Sequence, residues 1–305
     1  MKTLIFNIVR GSFVDGHGIR TTVFLKGCPL RCLWCCNVEG QETHDELKVT
    51  ASECNGCGKC AGVCPVDAIR LRTAPEDGEP ILSVDRALCN NCGKCAAVCY
   101  RDALDMFGTP MTADEVFDIV QKDTLVYSKS GGGVTIAGGE ATMQPEFTLA
   151  LLEKCKKAFI HTAIDTCGYT TTDAGFQCLA EADLLLYDLK HMDSQEHQRL
   201  TGVPNELILE NLVTLNDSGK DIIIRIPVIP GFNDSEQNLH DTAAFVADLK
   251  SVERVDLIGY HNYSTKRYEQ LGREYPLTMP AADEAYMESV KSVFEEYGLH
   301  TQLGG

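Results

Sequence analysis

Cys28, Cys32 and Cys35, in the run Gly27-Cys28-Pro29-Leu30-Arg31-Cys32-Leu33-Trp34-Cys35, set three thiols within one short loop. Three thiolates can hold three irons of a cubane and leave the fourth iron open, which is what substrate chemistry at a cluster requires. The alternative is a zinc loop. Structural zinc wants four closed ligands, and Cys36, directly beside Cys35, is awkwardly placed to be the fourth.

A second pattern is duplicated. Cys54-Asn-Gly-Cys57-Gly-Lys-Cys60-Ala-Gly-Val-Cys64 is echoed by Cys89-Asn-Asn-Cys92-Gly-Lys-Cys95-Ala-Ala-Val-Cys99. The spacing is the C-x2-C-x2-C-x3-C run of two-cluster bacterial ferredoxins, whose fourth cysteine serves the other cluster. On that pattern Cys54, Cys57, Cys60 and Cys99 hold one 4Fe–4S cluster, and Cys89, Cys92, Cys95 and Cys64 hold the second. Pro65 completes the first run, whereas Tyr100 stands where the second would carry proline, a change in a turn rather than in a ligand. Two zinc knuckles are the competing reading, and the duplicated spacing weighs against them. Cys155 and Cys178 lie in helix-like stretches and read as small buried hydrophobes; Cys36 and Cys167 sit near candidate site residues without an assigned role.

The elements that must position these groups follow from the second half of the chain. Short β-rich runs at 133–137, 159–164, 184–187, 222–227 and 255–259 alternate with helical spacing at 146–157, 206–218, 236–250 and 282–297. Strands alternating with helices predict a parallel sheet, with 21–25 as its first strand. Thr112 followed by Glu115 predicts a capping box that opens a helix to about Lys122. The segment 51–106 breaks the alternation and reads as a small inserted domain, leaving 1–50 and 107–305 as the main one.

Composition bounds the function classes. Of 305 residues, 44% are hydrophobic and 23% charged, as in an ordinary globular protein. A net charge of -17, from 44 acidic against 27 basic residues, would repel a phosphate backbone, so no nucleic acid is expected. The start of the chain does not read as a signal sequence and no apolar run is long enough to span a bilayer, so a cytoplasmic protein without a membrane partner is expected. Twelve of the 15 cysteines fall between Cys28 and Cys99, a density that in a reducing compartment points to metal ligands rather than disulfides.

With these residues in hand the chain closely resembles the glycyl radical enzyme activating enzymes of the radical S-adenosylmethionine superfamily. The resemblance rests on Asp15-Gly-His-Gly-Ile-Arg20, the Cys28/Cys32/Cys35 motif, Ser130-Gly-Gly-Gly-Val-Thr-Ile-Ala-Gly138-Gly139-Glu140 and Asp165-Thr-Cys-Gly168. It continues in Tyr187-Asp-Leu-Lys190, Arg225-Ile-Pro-Val-Ile-Pro-Gly231 and Tyr260-His261. It implies a partial (β/α)6 TIM-like barrel carrying the ferredoxin-like insert. Gly138, Gly139, Glu140, Asp165, Lys190, Arg225 and His261 each fall at or just after an expected strand, the face where barrel enzymes build active sites. The resemblance implies that Gly138, Gly139 and Glu140 bind the amino group of S-adenosylmethionine, and that Asp165, Lys190, Arg225 and His261 contact its ribose, carboxylate or sulfonium surroundings. Asp15 is implied to face the partner. Two departures stand out: Cys36-Asn37-Val38-Glu39 where the family has His-Asn-Pro-Glu, and His17 where it has proline.

The implied activity is reductive cleavage of S-adenosylmethionine to a 5′-deoxyadenosyl radical, which takes hydrogen from a backbone glycine of a partner glycyl radical enzyme. Three 4Fe–4S clusters and a low-potential donor such as flavodoxin or ferredoxin are implied with it. Two other readings remain: a radical enzyme acting on another peptide or small molecule, and a polyferredoxin that only carries electrons. The second leaves 138–140, Asp165 and His261 without a purpose.

Overall fold

A computed structural model describes residues 2–73 and 80–304; the chain ends and 74–79, part of the expected insert, lie outside the described residues. The strands are β1 (Lys2–Ser12), β2 (Arg20–Leu25), β3 (Leu47–Val49), β4 (Ile69–Thr73), β5 (Pro80–Val84), β6 (Leu104–Met106) and β7 (Thr109–Thr112). They continue as β8 (Gly133–Gly138), β9 (His161–Thr166), β10 (Leu184–Asp188), β11 (Asp221–Val228), β12 (Val252–Gly259) and β13 (Thr301–Leu303). Nine form one sheet, in the order β13-β12-β11-β10-β9-β8-β2-β1-β7. From β2 through β8 to β13 every pairing is parallel. β1 pairs antiparallel with both β2 and β7.

The two faces of the sheet are read directly from alternation along each strand. Leu185, Tyr187, Ile222 and Ile224 face outward and join Leu151, Leu212, Val246 and Phe294 of the covering helices in the main apolar core. Leu184, Leu186, Ala163 and Ile223 face inward as a small layer of their own. Both faces are therefore apolar, which is why these strands lack polar alternation in the sequence.

The helix Ala113–Val120 starts as expected: Thr112 Oγ1 accepts from Glu115 N–H at 3.1 Å, and Thr112 N–H donates to Glu115 Oε2 at 2.7 Å. β9 begins at His161 rather than 159, because Phe159 is exposed and turns with φ 57°. β1, β7 and β13 extend the sheet beyond the expected strands. Helices Thr124–Ser130, Ser194–Thr201 and Thr265–Gln270 are likewise not marked by the periodicity, whereas Asp173–Glu181 is the helix-like stretch around Cys178.

Between β2 and β7 the chain leaves the main sheet. β3 pairs with β6 and β4 with β5, both antiparallel. Two single-turn helices, Lys59–Gly62 and Lys94–Ala97, each follow a glycine in the left-handed region, Gly58 and Gly93. These elements share a separate apolar cluster built on Leu47, Leu82, Leu104, Cys60 and Cys95. β3 thus pairs within this unit, although it precedes residue 51. No helix among the described residues is long and apolar enough to cross a membrane.

Candidate active site

The loop after β2 is held from two sides. Gly27 N–H donates to Gly40 O at 2.8 Å and Cys28 N–H to Gln41 O at 3.0 Å; Arg31 and Leu33 N–H groups donate to Thr201 and Leu200 carbonyls at the end of helix Ser194–Thr201. Lys26 beneath it is fully buried, and its Nζ donates to Glu39 O and to Glu46 Oε2 at 3.1 Å. A buried cation needs such a partner, and Arg273 closes the network on the other Glu46 oxygen at 2.6 Å.

Cys28, Cys32 and Cys35 line a cleft of about 280 Å³ together with Gly138, Gly139, Asp165, Lys190, Arg225 and Asp15. Gly138 ends β8, Asp165 lies at the end of β9, Lys190 follows β10, and Arg225 is in β11, so one strand delivers backbone and three deliver side chains to one face. Asp15 comes from the opposite direction. It precedes β2, its carbonyl accepts from Thr135 Oγ1 at 2.7 Å, and its Oδ2 accepts from Ser12 and Thr22 hydroxyls at 2.5 and 2.6 Å.

Glu140 and His261 are not among the groups lining this cleft. The Glu140 carboxylate, expected to meet a ligand, is fully buried and already accepts four hydrogen bonds. Oε1 takes Thr142 N–H, Thr142 Oγ1–H and Thr166 Oγ1–H, and Oε2 takes Cys167 N–H at 2.8 Å. It fastens the β8 and β9 loops to each other. His261 stacks on Tyr263 with ring centroids 4.6 Å apart, and its buried Nδ1 has no partner.

The glycines also answer to a different demand from the expected one. A Cβ on Gly139 would lie 2.2 Å from Gly27 O and 2.4 Å from Gly40 O, and one on Gly138 would lie 2.3 Å from Leu25 N, where φ is 120°. Glycine is required here by the backbone of the cysteine loop packing against the end of β8.

The cleft holds paired charges. Arg225 Nη1 is 3.1 Å from Asp165 Oδ2, and Lys190 Nζ is 2.5 Å from Asp188 Oδ2. Burial works against the Lys190 charge, but Asp188 beside it outweighs burial and the pKa moves up. Burial likewise opposes the Arg225 charge, yet Asp165, Asp188 and Asp15 raise it, so the guanidinium stays charged. Asp188, Thr166 and Cys167 also line the cleft and were not marked as site residues. Asp188 could have been found as the residue two before Lys190 on the same strand end.

Burial pushes the Cys32 thiol up to about 12, so without a metal it is protonated, whereas a coordinating thiol is deprotonated outright. No three His, Cys, Asp or Glu side chains among the described residues converge closely enough for a single metal ion. Thiols spread around a cleft suit a cubane, with irons at separate corners, better than one zinc. Arg225 Nε is buried with no hydrogen-bond partner, an orphan donor that a polar ligand in the cleft would satisfy.

The other cysteines gather as the duplicated motif predicts. Cys54, Cys57, Cys60 and Cys99 line one small cavity, and Cys64, Cys89, Cys92 and Cys95 line another. Each group takes its fourth thiol from the other repeat.

Comparison with known proteins shows the family of the chain. A Radical SAM superfamily profile matches residues 90–243, and a 4Fe-4S dicluster domain profile matches 53–103. The chain is 41% identical to the choline trimethylamine-lyase activating enzyme of Oleidesulfovibrio alaskensis, over 97% of this chain and 96% of that protein. It is 38% identical to the trans-4-hydroxy-L-proline dehydratase activating enzyme of Clostridioides difficile, over the full length of both. Among solved structures, Streptococcus suis SuiB bound to S-adenosylmethionine matches with a TM-score of 0.51 at 19% identity, over 65% of this chain and 44% of that one, a likeness of fold. The chain belongs to the radical S-adenosylmethionine superfamily and, within it, to the activating enzymes of glycyl radical enzymes.

Proposed function

We propose that Cys28, Cys32 and Cys35 hold the catalytic 4Fe–4S cluster of this activase, and that S-adenosylmethionine lies in the adjoining cleft. The observation that carries this reading is the convergence of those three thiols with Gly138, Gly139, Asp165, Lys190 and Arg225 on one cavity. When bound, the cluster supplies the electron that breaks the sulfonium C–S bond, giving methionine and the 5′-deoxyadenosyl radical that takes hydrogen from the partner's glycine.

The chain's own residues orient and shield that chemistry. Carbonyls of Gly138 and Gly139 accept from the cofactor's ammonium group, and Glu140 acts one step back by holding the β8 and β9 loops in register. Lys190 and Arg225, kept charged by Asp188 and Asp165, meet its carboxylate and ribose surroundings. His261, after β12, lies outside the cleft's lining, and its unpartnered Nδ1 is the atom that would meet the cofactor's surroundings. Trp34 and Leu30, both buried, exclude water beside the thiols.

The remaining eight motif cysteines hold two further 4Fe–4S clusters in an inserted domain at 51–106, with the partial barrel formed by 1–50 and 107–305. A flavodoxin or ferredoxin supplies electrons. Asp15 contacts the glycine loop of the partner, a glycyl radical enzyme of the kind the relatives' names describe, choline trimethylamine-lyase or hydroxyproline dehydratase.

Asp15→Ala separates these roles. At matched iron content it slows glycyl radical formation on the partner, read by electron paramagnetic resonance, at least tenfold more than uncoupled production of 5′-deoxyadenosine. Equal loss of both would move Asp15 into the cofactor site. Efficient turnover of a small metabolite with no partner present would favour the other radical-enzyme reading.

A further inference from the structure

The two cysteine cavities of the insert arise from one repeated motif, yet their surroundings differ. Around Cys54, Cys57, Cys60 and Cys99 the lining includes Lys59, Arg101 and the aromatic Tyr100, with no acidic side chain among the described residues. Around Cys64, Cys89, Cys92 and Cys95 the described lining carries no charged side chain. Tyr100 is 60% exposed, Lys59 Nζ lies 5.0 Å above its ring, and Asn55 Nδ2 donates to its hydroxyl at 2.6 Å. Tyr100 is thus an exposed aromatic, held by hydrogen bond and cation contact, between Lys59 and Arg101; tyrosine and arginine are residue types enriched where proteins bind one another.

Both halves of the insert touch the barrel segment after β12, Gln270 Nε2 donating to Thr50 Oγ1 at 3.0 Å ahead of Cys54, but the second cavity is the one that continues towards Lys26. Leu47 lines it, and its N–H donates to Asn91 Oδ1 at 3.0 Å. Arg86 bridges Leu47 O and Gln270 O at 2.6 and 2.7 Å, joining the insert to the segment after β12. The preceding residue, Glu46, pairs with Lys26, two residues before Cys28. The first site therefore carries cations at its rim, and the second connects through Leu47 and Glu46 to Lys26, at the base of the loop that carries the radical-site thiols.

We infer that the Cys54/Cys57/Cys60/Cys99 site, marked by Lys59, Tyr100 and Arg101, is where an acidic one-electron carrier protein docks, and that Cys64/Cys89/Cys92/Cys95 is the relay site on the barrel side. The inference rests on the proposed cluster-binding role of these cysteines. One electron leaves the carrier, which is oxidised by one, and the receiving site is reduced by one; no bond or proton changes hands. Charge explains why the docking must be local. A chain of net charge -17 repels an acidic carrier over most of its surface, so a cationic, aromatic spot selects the orientation of encounter.

The test uses fully reconstituted protein and a reduced plant-type 2Fe–2S ferredoxin as the probe, mixed anaerobically in a stopped-flow cell without S-adenosylmethionine. The wild-type rate should fall as salt is raised. The double variant Lys59→Glu/Arg101→Glu should lower the rate at low salt at least tenfold and flatten that salt dependence. Its iron content and its reduction by photoreduced deazaflavin should stay unchanged. Lys94→Glu, the equivalent position in the other repeat, should leave the ferredoxin rate unchanged. If charge reversal costs iron, the Lys59→Gln/Arg101→Gln pair reads the same surface by a smaller loss. An unchanged rate in the iron-replete double variant, or a loss confined to Lys94→Glu, overturns the assignment. Because iron content and deazaflavin reduction report the clusters themselves, failure of docking is distinguishable from absence of the clusters.

Discussion

At the scale of single residues, the Gly138-Gly139-Glu140 run shows how one motif can serve a site without all of it touching the ligand. The sequence marks the run after a strand, and that position is correct. It does not show that the Glu140 carboxylate turns inward to four donors, because Thr166 Oγ1–H and Cys167 N–H join the local Thr142 donors only once β8 and β9 are paired. Gly139 has the sharper steric demand, since an added Cβ would sit 2.2 Å from Gly27 O. Gly139→Ala should therefore destabilise the protein by about 3 kcal/mol through overpacking and push the cysteine loop off its contacts. A lower melting temperature together with iron lost selectively from the Cys28/Cys32/Cys35 site checks this. Normal iron and melting behaviour would mean that the loop can move aside at little cost.

Among the elements, helix Ser194–Thr201 is the least expected and one of the most useful. It is short and polar, so periodicity passes it over, yet its last carbonyls cap the N–H groups of Arg31 and Leu33 in the cysteine loop. β1 was hidden for a different reason: its middle and end are half-buried or exposed, giving no strong apolar run. The strands buried on both faces were legible because packing on each side demands apolar residues throughout.

His197 makes the hidden helix sensitive to acid. It is 1% exposed, and burial holds its pKa down to about 4, with the Val203 carbonyl 2.7 Å from Nδ1 opposing the shift. The folded protein thus keeps His197 neutral while the unfolded chain takes up a proton near the ordinary value of about 6.5. Its contribution is fully present above that pH and is lost as pH falls from there towards about 4. Between pH 7 and 5 this group alone should remove about 2 kcal/mol of stability. His197→Asn keeps a donor for Val203 O but does not titrate, so its melting temperature should fall less over the same range. Parallel acid limbs for the two proteins would show that His197 does not carry the effect.

For the whole molecule, the sequence identified the duplicated motif and which thiol of each repeat sits with the other group, because the spacing of a known two-cluster run is enough to state both. The difference between the two cavities was not legible. It depends on Leu47, from outside both repeats, being brought beside one cysteine group by the fold. Three cubanes require that anaerobically reconstituted protein bind about twelve irons, falling to about four when Cys57 and Cys92 are both replaced by serine. Iron analysis with the electron paramagnetic resonance spectrum of the reduced protein checks both values. Retention of about twelve irons in the double variant would contradict the ligand assignment.

The central claim, that the Cys28/Cys32/Cys35 loop is where S-adenosylmethionine is cleaved, is tested most directly by Cys32→Ala in a reconstituted protein whose insert clusters remain intact. After chemical reduction with S-adenosylmethionine present, the wild type should release 5′-deoxyadenosine and the variant none above the protein-free background. Turnover in the variant at the wild-type rate would place the chemistry elsewhere and contradict the account.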